Sequence, residues 1–336
     1  MEHPFGWICH LSGWKQVLEK SFKHMKGYYF ALMDDAGEKI QAGLPVYHVK
    51  SRLTGNRLVS IPFATLCDPL VLKKQDMADL TEKVLSLSKD LDCSYVEIRT
   101  LKAGAPVLQD CEVKNTNLYK NHYLKIDGHL ESLKRSFHRT CVRKNIKRAA
   151  KNNLKVRIAS DAFDINVFYR LYANTRKSLG LPSHPIRFIR SIWETFSSSG
   201  RVVFLISELN SEPIASMLLF KFKDKLAAEY LGWNIKFKTY HPSVHIYWEA
   251  IKFAHYKGCK EFDFGRASTN NKGLVDFKRR WGTYERNLPS FYVLNTKSSQ
   301  PVDETSLKYI AARKLCLALP ENAYRYLGNF IYNHMG

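Results

Sequence analysis

No Cys-x-x-Cys pair, Gly-x-Gly-x-x-Gly, Gly-x-Ser-x-Gly or Gly-x4-Gly-Lys-Ser/Thr stretch occurs in this sequence. A zinc ribbon, a dinucleotide or kinase-type glycine loop, a serine-hydrolase elbow and a P-loop are excluded together. The seven cysteines are odd in number and scattered, which argues against a disulfide framework and for a reducing compartment. No basic stretch followed by an apolar run opens the chain, and nowhere do 18 apolar residues run together. The expectation is therefore no leader, no spanning helix and a cytoplasmic location, with contact at the inner membrane surface left open.

Acidic residues are the scarce charge: 31 Asp and Glu stand against 52 Lys and Arg, a formal charge of +21. Such an excess favours polyanionic partners such as tRNA, nucleotide phosphates or an anionic membrane face. It is concentrated in residues 133–157, LKRSFHRTCVRKNIKRAAKNNLKVR, which hold no acid at all. Leu133, Phe137, Cys141 and Ile146 or Ala149 give a partial apolar stripe, so one linking helix is expected through about Asn152. Arg139, Arg143, Lys147 and Lys151 recur every four residues, a self-repelling face unless phosphates lie against it.

A chain of 336 residues with 45% hydrophobic content can bury more than one core. Two stretches align at an offset of 174 residues, YFALMDDAGEKIQAGLPV from Tyr29 and VFLISELNSEPIASMLLF from Val203. Phe30 meets Phe204, Glu38 meets Glu212, Ile40 meets Ile214 and Leu44 meets Leu218, each stretch reading as a hairpin. A Cys-led strand follows later in each half, CSYVEIRT from Cys93 and CKEFDFGR from Cys259. The pattern predicts a duplicated domain: residues 1–127, a basic linking helix over 128–153, a second domain over 154–298 and a helical extension over 299–336.

The second half orders as β-α-α-β-β-β-α-β-α-β. Asp161 or Asp164 caps a helix running to Gly180, and Ser243 caps the helix that carries Tyr247, Ala250, Ile251 and Ala254 on one face. That order is the GNAT acyltransferase order, so the expected fold class is α/β: mixed sheets flanked by helices, in tandem. The tail from Leu307 is amphipathic and broken at Pro320.

Residues 261–282, EFDFGRASTNNKGLVDFKRRWG, contain Asp-Phe-Gly. A kinase would place a His-Arg-Asp loop shortly upstream, but His138-Arg139 is followed by Thr and is distant. His241 and His245 are spaced by four, but Pro242 puts His241 outside the helix, so no metal site is expected. The loop before Ser243, NIKFKTYHP, lacks the glycine-rich turn by which ordinary GNAT enzymes grip coenzyme A.

The stretches WEAIKFAHYKGCKEFDFGRAS (248–268) and GLVDFKRRWG (273–282) resemble the carboxy-terminal signature of FemAB-type proteins. These include peptidoglycan-bridge aminoacyltransferases and an acetyltransferase group associated with cellulose and exopolysaccharide synthesis. Trp14 with residues 44–63 resembles the same family's first domain, and FYRLYANTRKSLGLP (168–182) its middle helix. The resemblance implies transfer of an acyl or aminoacyl group to an amine of a cell-envelope or exopolysaccharide precursor, the acceptor being a small molecule or lipid- or UDP-linked. It implies acyl-CoA or aminoacyl-tRNA as co-substrate and no permanently bound cofactor. The long coiled-coil arm of some tRNA-using members is missing.

On the resemblance, Lys278 matches the family's functional lysine, where an ammonium would stabilise a developing oxyanion. Tyr230 matches a tyrosine lining the same pocket, with plain packing as its other use. Arg143, Lys147 and Arg148, with Ser243 at a helix start and Arg266 facing the cleft, are the candidates for donor phosphates. Lys50, Arg52, Arg176 and His184 are the candidates for the acceptor. Where several relatives carry Arg and Tyr for substrate phosphate, this chain offers His184 and Phe188. The competing function is a non-catalytic module binding RNA or an anionic membrane partner through residues 133–157.

Overall fold

A computed structural model describes residues 3–65, 67–100, 113–294 and 307–336. Contacts group the chain into two compact units. The first comprises Met1–Tyr119, Asn287–Val302 and Phe330–Gly336; the second comprises Lys120–Arg286 and Asp303–Asn329. The divisions expected at 127, 153 and 298 run along the chain, whereas these units exchange segments late in the sequence.

In the first unit, helix α1 (Ser12–Ser21) buries Trp14, Val17 and Leu18. Strands β1 (Met25–Met33), β2 (Ile40–Ser51) and β3 (Gly55–Ser60) pair antiparallel in turn. Helix α2 (Lys74–Asp90) crosses back to β4 (Tyr95–Arg99), which runs parallel to β3. Residues Ser290–Leu294 of a late strand, β11 (Tyr284–Leu294), pair antiparallel with β4.

Strands follow in the order β5-β10-β9-β8-β7-β6, with β5 at Val113–Lys125, of which the part from Lys120 on belongs to the second unit, and β6 at Lys155–Ile158. Helices α3 (Leu130–Ser136) and α4 (Lys144–Lys151) precede β6. Helices α5 (Ala162–Ser178) and α6 (Ile186–Phe196) follow it. The antiparallel run β7 (Val202–Leu209), β8 (Glu212–Phe222) and β9 (Lys225–Trp233) comes next. Helix α7 (Pro242–Tyr256), β10 (Glu261–Ser268) and α8 (Lys272–Arg279) complete the series. With β11 this is the order expected from sequence.

The repeat extends to register. Phe30 faces Leu44 across the first hairpin and Phe204 faces Leu218 across the second, the same pairs that align at the 174-residue offset. Both crossover helices end alike. Asp92 and Gly258 take left-handed conformations, and the Cys93 and Cys259 amides donate back to Ser88 and Ala254 at 2.9 Å. That closure is a helix stop followed at once by a strand.

Two expectations are corrected. The linking segment is not one helix. Phe137 is extended, with ψ 149, and a π-helical turn, Arg139–Arg143, separates α3 from α4. His138 Nδ1 caps that turn by accepting from the Cys141 amide at 3.2 Å. The break drives Phe137 into the core, edge-on to Trp248 and Trp281 at 5.9 and 5.2 Å. Val142 is buried where the stripe expected Cys141. The second correction is the start of α7: His241 is its N-cap in a left-handed conformation and Pro242 its first residue, so Ser243 lies inside the first turn. Pro fits there because the first helical N–H has no partner to lose.

The α7 stripe of Tyr247, Ala250, Ile251 and Ala254 is buried as expected, packed with Phe262, Phe264 and Trp281. The tail forms α9 (Leu307–Ala318) and α10 (Glu321–Tyr332), broken at Pro320. Tyr324 donates to the Leu181 carbonyl at 2.8 Å, so α10 covers the loop before α6.

Candidate active site

Strands β9 and β10 pair in parallel only from Lys225–Ala227 to Glu261–Asp263, and no pairing follows although both strands continue. The parting coincides with a bulge: Leu218 faces Tyr230 and Leu219 faces Ala228, leaving Glu229 unopposed. An extra residue re-aims the side chains that follow it. Beyond it, β9 keeps its pairing with β8 but not with β10, and it is tied to α5 as well. Thr175 Oγ1 accepts from the Trp233 amide at 2.8 Å and donates to its carbonyl at 3.0 Å. Gly232 makes this possible, since a Cβ there would lie 2.2 Å from the Tyr172 amide nitrogen.

Lys278 stands in the last turn of α8, which starts where Asn271 accepts from the Leu274 amide at 3.1 Å. Its side chain is 3% exposed, and Nζ donates to the Gly265 and Arg266 carbonyls at 2.8 Å each. Burial pulls its pKa from 10.5 to about 7, with Asp263 and Glu229 opposing the fall and Arg266 adding to it. Asp263 is buried, and Oδ1 accepts from Asn121 Nδ2 at 2.8 Å and from the Gly265 amide at 2.6 Å. Burial raises its pKa.

Glu229 is lifted to about 7 by burial and by Asp263, against the pull of Arg266 and Lys278. His122, buried on β5, is pushed to about 4 by burial and by Lys278. Two carboxyls, a lysine and an imidazole thus act on one another in one place, where the carboxyls are raised, the lysine is lowered toward them and the imidazole is held neutral. Displaced affinities of this kind cluster at functional sites.

Beside the bulge, Tyr230 packs on Tyr172 and His184 at ring separations of 5.3 and 5.0 Å. Tyr172 Oη and His184 Nδ1 are 2.7 Å apart. Burial, with Arg176 and Arg266 nearby, holds His184 well below its ordinary pKa. His184, buried against Tyr172 and Tyr230, lies in the wall of this region. Arg176 is half-buried and donates Nε to the Pro182 carbonyl at 3.0 Å.

Of the residues singled out from sequence, Lys278, Tyr230, Arg266, His184 and Arg176 therefore fall in one neighbourhood of the second unit. A different group gathers at α4 and the start of α7. Exposed Arg148 bears on His241 beside Ser243. Lys147 lines a cavity of about 770 Å³ with Lys134, Lys155, Trp248 and Lys252, and Lys278 is not in its wall. Arg143 is half-buried, and its Nε has no partner among the described residues. Lys50 and Arg52 are exposed in the first unit. The turn between β2 and β3 that follows is occupied by His334, which meets Ser51 at 2.9 Å and takes a bond from Thr54 at 2.8 Å.

Glu229, Asn121, His122 and Tyr172 were not anticipated from sequence. Glu229 reads there as an ordinary polar strand position, and only the bulge distinguishes it. Among the described residues, no group of three or more His, Cys, Asp or Glu could hold a metal ion, and no helix is long and apolar enough to cross a membrane.

Residues 136–279 match the acetyltransferase (GNAT) domain family. Lipid II:glycine glycyltransferase of Staphylococcus haemolyticus is 35% identical over 92 residues, covering 24% of this chain and 22% of that protein. The matched stretch thus spans less than a quarter of that relative. Among solved structures, FemX superposes with a TM-score of 0.72 at 17% identity, covering 88% of this chain and 94% of its own. A tandem GNAT protein from the clavulanic acid pathway gives 0.54 at 8%, covering 85% and 87%. L-PGS of Bacillus licheniformis gives 0.56 at 12%, covering 86% and 89%.

Proposed function

We propose that this chain, whose residues 136–279 match the acetyltransferase (GNAT) domain family, moves an acyl or aminoacyl group from an activated ester or thioester onto an amine of a peptidoglycan-type precursor. The glycyl-transferring relative, named for lipid II, supports that acceptor class. The observation that carries the proposal is the Lys278 ammonium, gripped by two main-chain carbonyls where β9 and β10 part.

When the acceptor amine attacks the donor carbonyl, negative charge develops on the carbonyl oxygen. A fixed donor in a poorly solvated cleft stabilises that charge without having to reorganise. The attacking nitrogen then loses a proton, which we assign to Glu229, held near pKa 7 at the bulge; the adduct collapses as the donor's C–O or C–S bond breaks, and the donor hydroxyl or thiol leaves with a proton. Tyr230, Tyr172 and His184 form the wall against which substrate is oriented. The exposed cations of α4, with Arg148 beside the start of α7, are assigned to donor phosphates. The donor, acyl-CoA or aminoacyl-tRNA, is a co-substrate that comes and goes, and the reaction is placed in the cytoplasm.

The test compares wild type with Lys278→Met, using acetyl-CoA and glycyl-tRNA as donors and a UDP-linked peptide bearing a free lysine amine as acceptor. The expected result is transfer by wild type with at least one donor. The variant is expected to lose about 100- to 1,000-fold in kcat with donor binding kept. Bound donor at about 100 times Kd should add about 2.7 kcal/mol of stability to both proteins. Wild type that transfers nothing from either donor, yet binds RNA, would replace the enzyme with a polyanion-binding module.

A further inference from the structure

The reaction proposed above needs Lys278 charged at a place that opposes charge, and the structure shows how that is arranged. We propose that Asn121 and Asp263 are positioning residues for Lys278: they fix the 263–266 turn whose carbonyls grip its ammonium, and Asp263 supplies negative charge that keeps it protonated. This inference rests on the function assigned to Lys278.

The connection runs through bonds already described. Asp263 Oδ1 holds the Gly265 amide, and Gly265 takes a left-handed φ of 74°. That bend turns the Gly265 and Arg266 carbonyls together toward Lys278 Nζ. An ammonium has three donors in tetrahedral array. With two held by carbonyls the third points in one direction, and among the described residues it meets no partner. Asn121 holds the same Asp263 oxygen from the neighbouring strand, so the turn is braced from β5 as well.

The pairing is not the one stability alone would choose. Asn121 Oδ1 and Asp263 Oδ2, on two buried side chains bonded to each other, are both without a hydrogen-bond partner among the described residues. Buried unpaired polar atoms are costly and rare, and call for a reason. Here the reason is electrostatic. The groups bearing on Lys278 are Asp263 and Arg266 from β10, Glu229 from β9 and His122 from β5. Arg266 opposes the lysine's charge and His122 is neutral, so the carboxylates are what sustain it. Of the two, only Asp263 is bonded into the turn that holds the ammonium.

The experiment titrates Lys278 directly in the full chain, following the ¹³Cε resonance of labelled lysine, assigned by its disappearance in Lys278→Arg. Asp263→Asn keeps an oxygen to accept from Gly265 while removing the charge, so its urea midpoint should stay close to wild type. Its Lys278 midpoint should fall by about one pH unit, a roughly tenfold loss of charged lysine. Asn121→Ala should move the midpoint in the same direction by less, because a carboxylate with one donor fewer holds its negative charge less well. A role confined to packing would lower the urea midpoint and leave the titration alone. A Lys278 midpoint in Asp263→Asn within about 0.3 units of wild type, or raised, overturns the proposal. If that variant does not fold, an unmoved midpoint in Asn121→Ala overturns it equally. No acyl donor is needed, so these outcomes are separate from the transfer assay: an unmoved midpoint with transfer still lost in Lys278→Met would leave the function standing and remove only Asp263 and Asn121 from it.

Discussion

Lys278→Met should gain stability relative to wild type as pH falls from 10 to 7. Methionine keeps the unbranched stem and removes the charge that the site disfavours. Burial lowers the lysine from 10.5 to about 7, and at about 1.4 kcal/mol per pH unit this corresponds to about 5 kcal/mol. Above pH 10.5 the lysine is neutral in folded and unfolded chains alike, and the penalty vanishes. As pH falls the unfolded chain takes up its proton first, so wild type loses stability steadily until the folded lysine protonates near 7. Below that the loss is complete and constant. The variant has no such slope.

The two carbonyls left without a donor cost the variant about 1–3 kcal/mol each, at every pH. The absolute difference between the proteins is therefore not the test; its change with pH is. Urea unfolding at pH 7, 8, 9 and 10, followed by tryptophan fluorescence, should show the difference moving by about 4 kcal/mol in the variant's favour. Trp193, Trp233, Trp248 and Trp281 all lie in the second unit and report its transition. A difference that stays flat across this range would refute the reading of Lys278 as a buried, destabilised ammonium.

Two other substitutions test the frame that holds the site. Gly232→Ala places a methyl 2.2 Å from the Tyr172 amide nitrogen and 2.5 Å from the Leu171 carbonyl carbon, both backbone. Helix α5 must then leave β9, so a loss of about 3 kcal/mol in urea unfolding is expected, and a wild-type midpoint would show that the contact is not tight. Asp164→Asn breaks a fork in which both carboxylate oxygens accept from Arg157, at 2.6 and 2.7 Å. Arg157 holds the Asp164 pKa below its ordinary value, so its contribution is full above that value and lost as pH falls through the folded pKa. The variant should be about 2–3 kcal/mol less stable at pH 7 and converge on wild type in acid; a gap that persists at low pH would refute the ion pair as its origin.

Much of the fold was legible because its strongest signals are local. The hairpins at Tyr29 and Val203 carry their register in their alternation, and the Pro, Gly and Asp punctuation of the second half marks helix ends within a few residues. What failed was decided elsewhere. Nothing within residues 133–157 says that Phe137 should leave a helix. The Trp248 and Trp281 rings that receive it are more than a hundred residues away in sequence. Ser243 is a good cap by residue type, but Pro242 occupies the first helical position and so moves the cap to His241.

The site divides along the same line. Lys278 could be singled out by a resemblance that the run from Asp263 to Lys278 carries, and the same run holds the Gly265 and Arg266 carbonyls that grip it. Asn121 reaches that run only through strand order, which places β5 beside β10. Glu229 enters it only through a bulge, and a bulge has no sequence signature in KLAAEYLGW. Asp263 shows the limit of a motif most clearly. Asp-Phe-Gly invites the idea of a metal ligand, but its carboxylate accepts from an amide and an asparagine, and the carbonyls beyond it accept from a lysine. An aspartate followed two residues later by a left-handed glycine is a way of presenting carbonyl oxygens. What those oxygens hold depends on the charge brought to them, and here a single turn of α8 brings an ammonium.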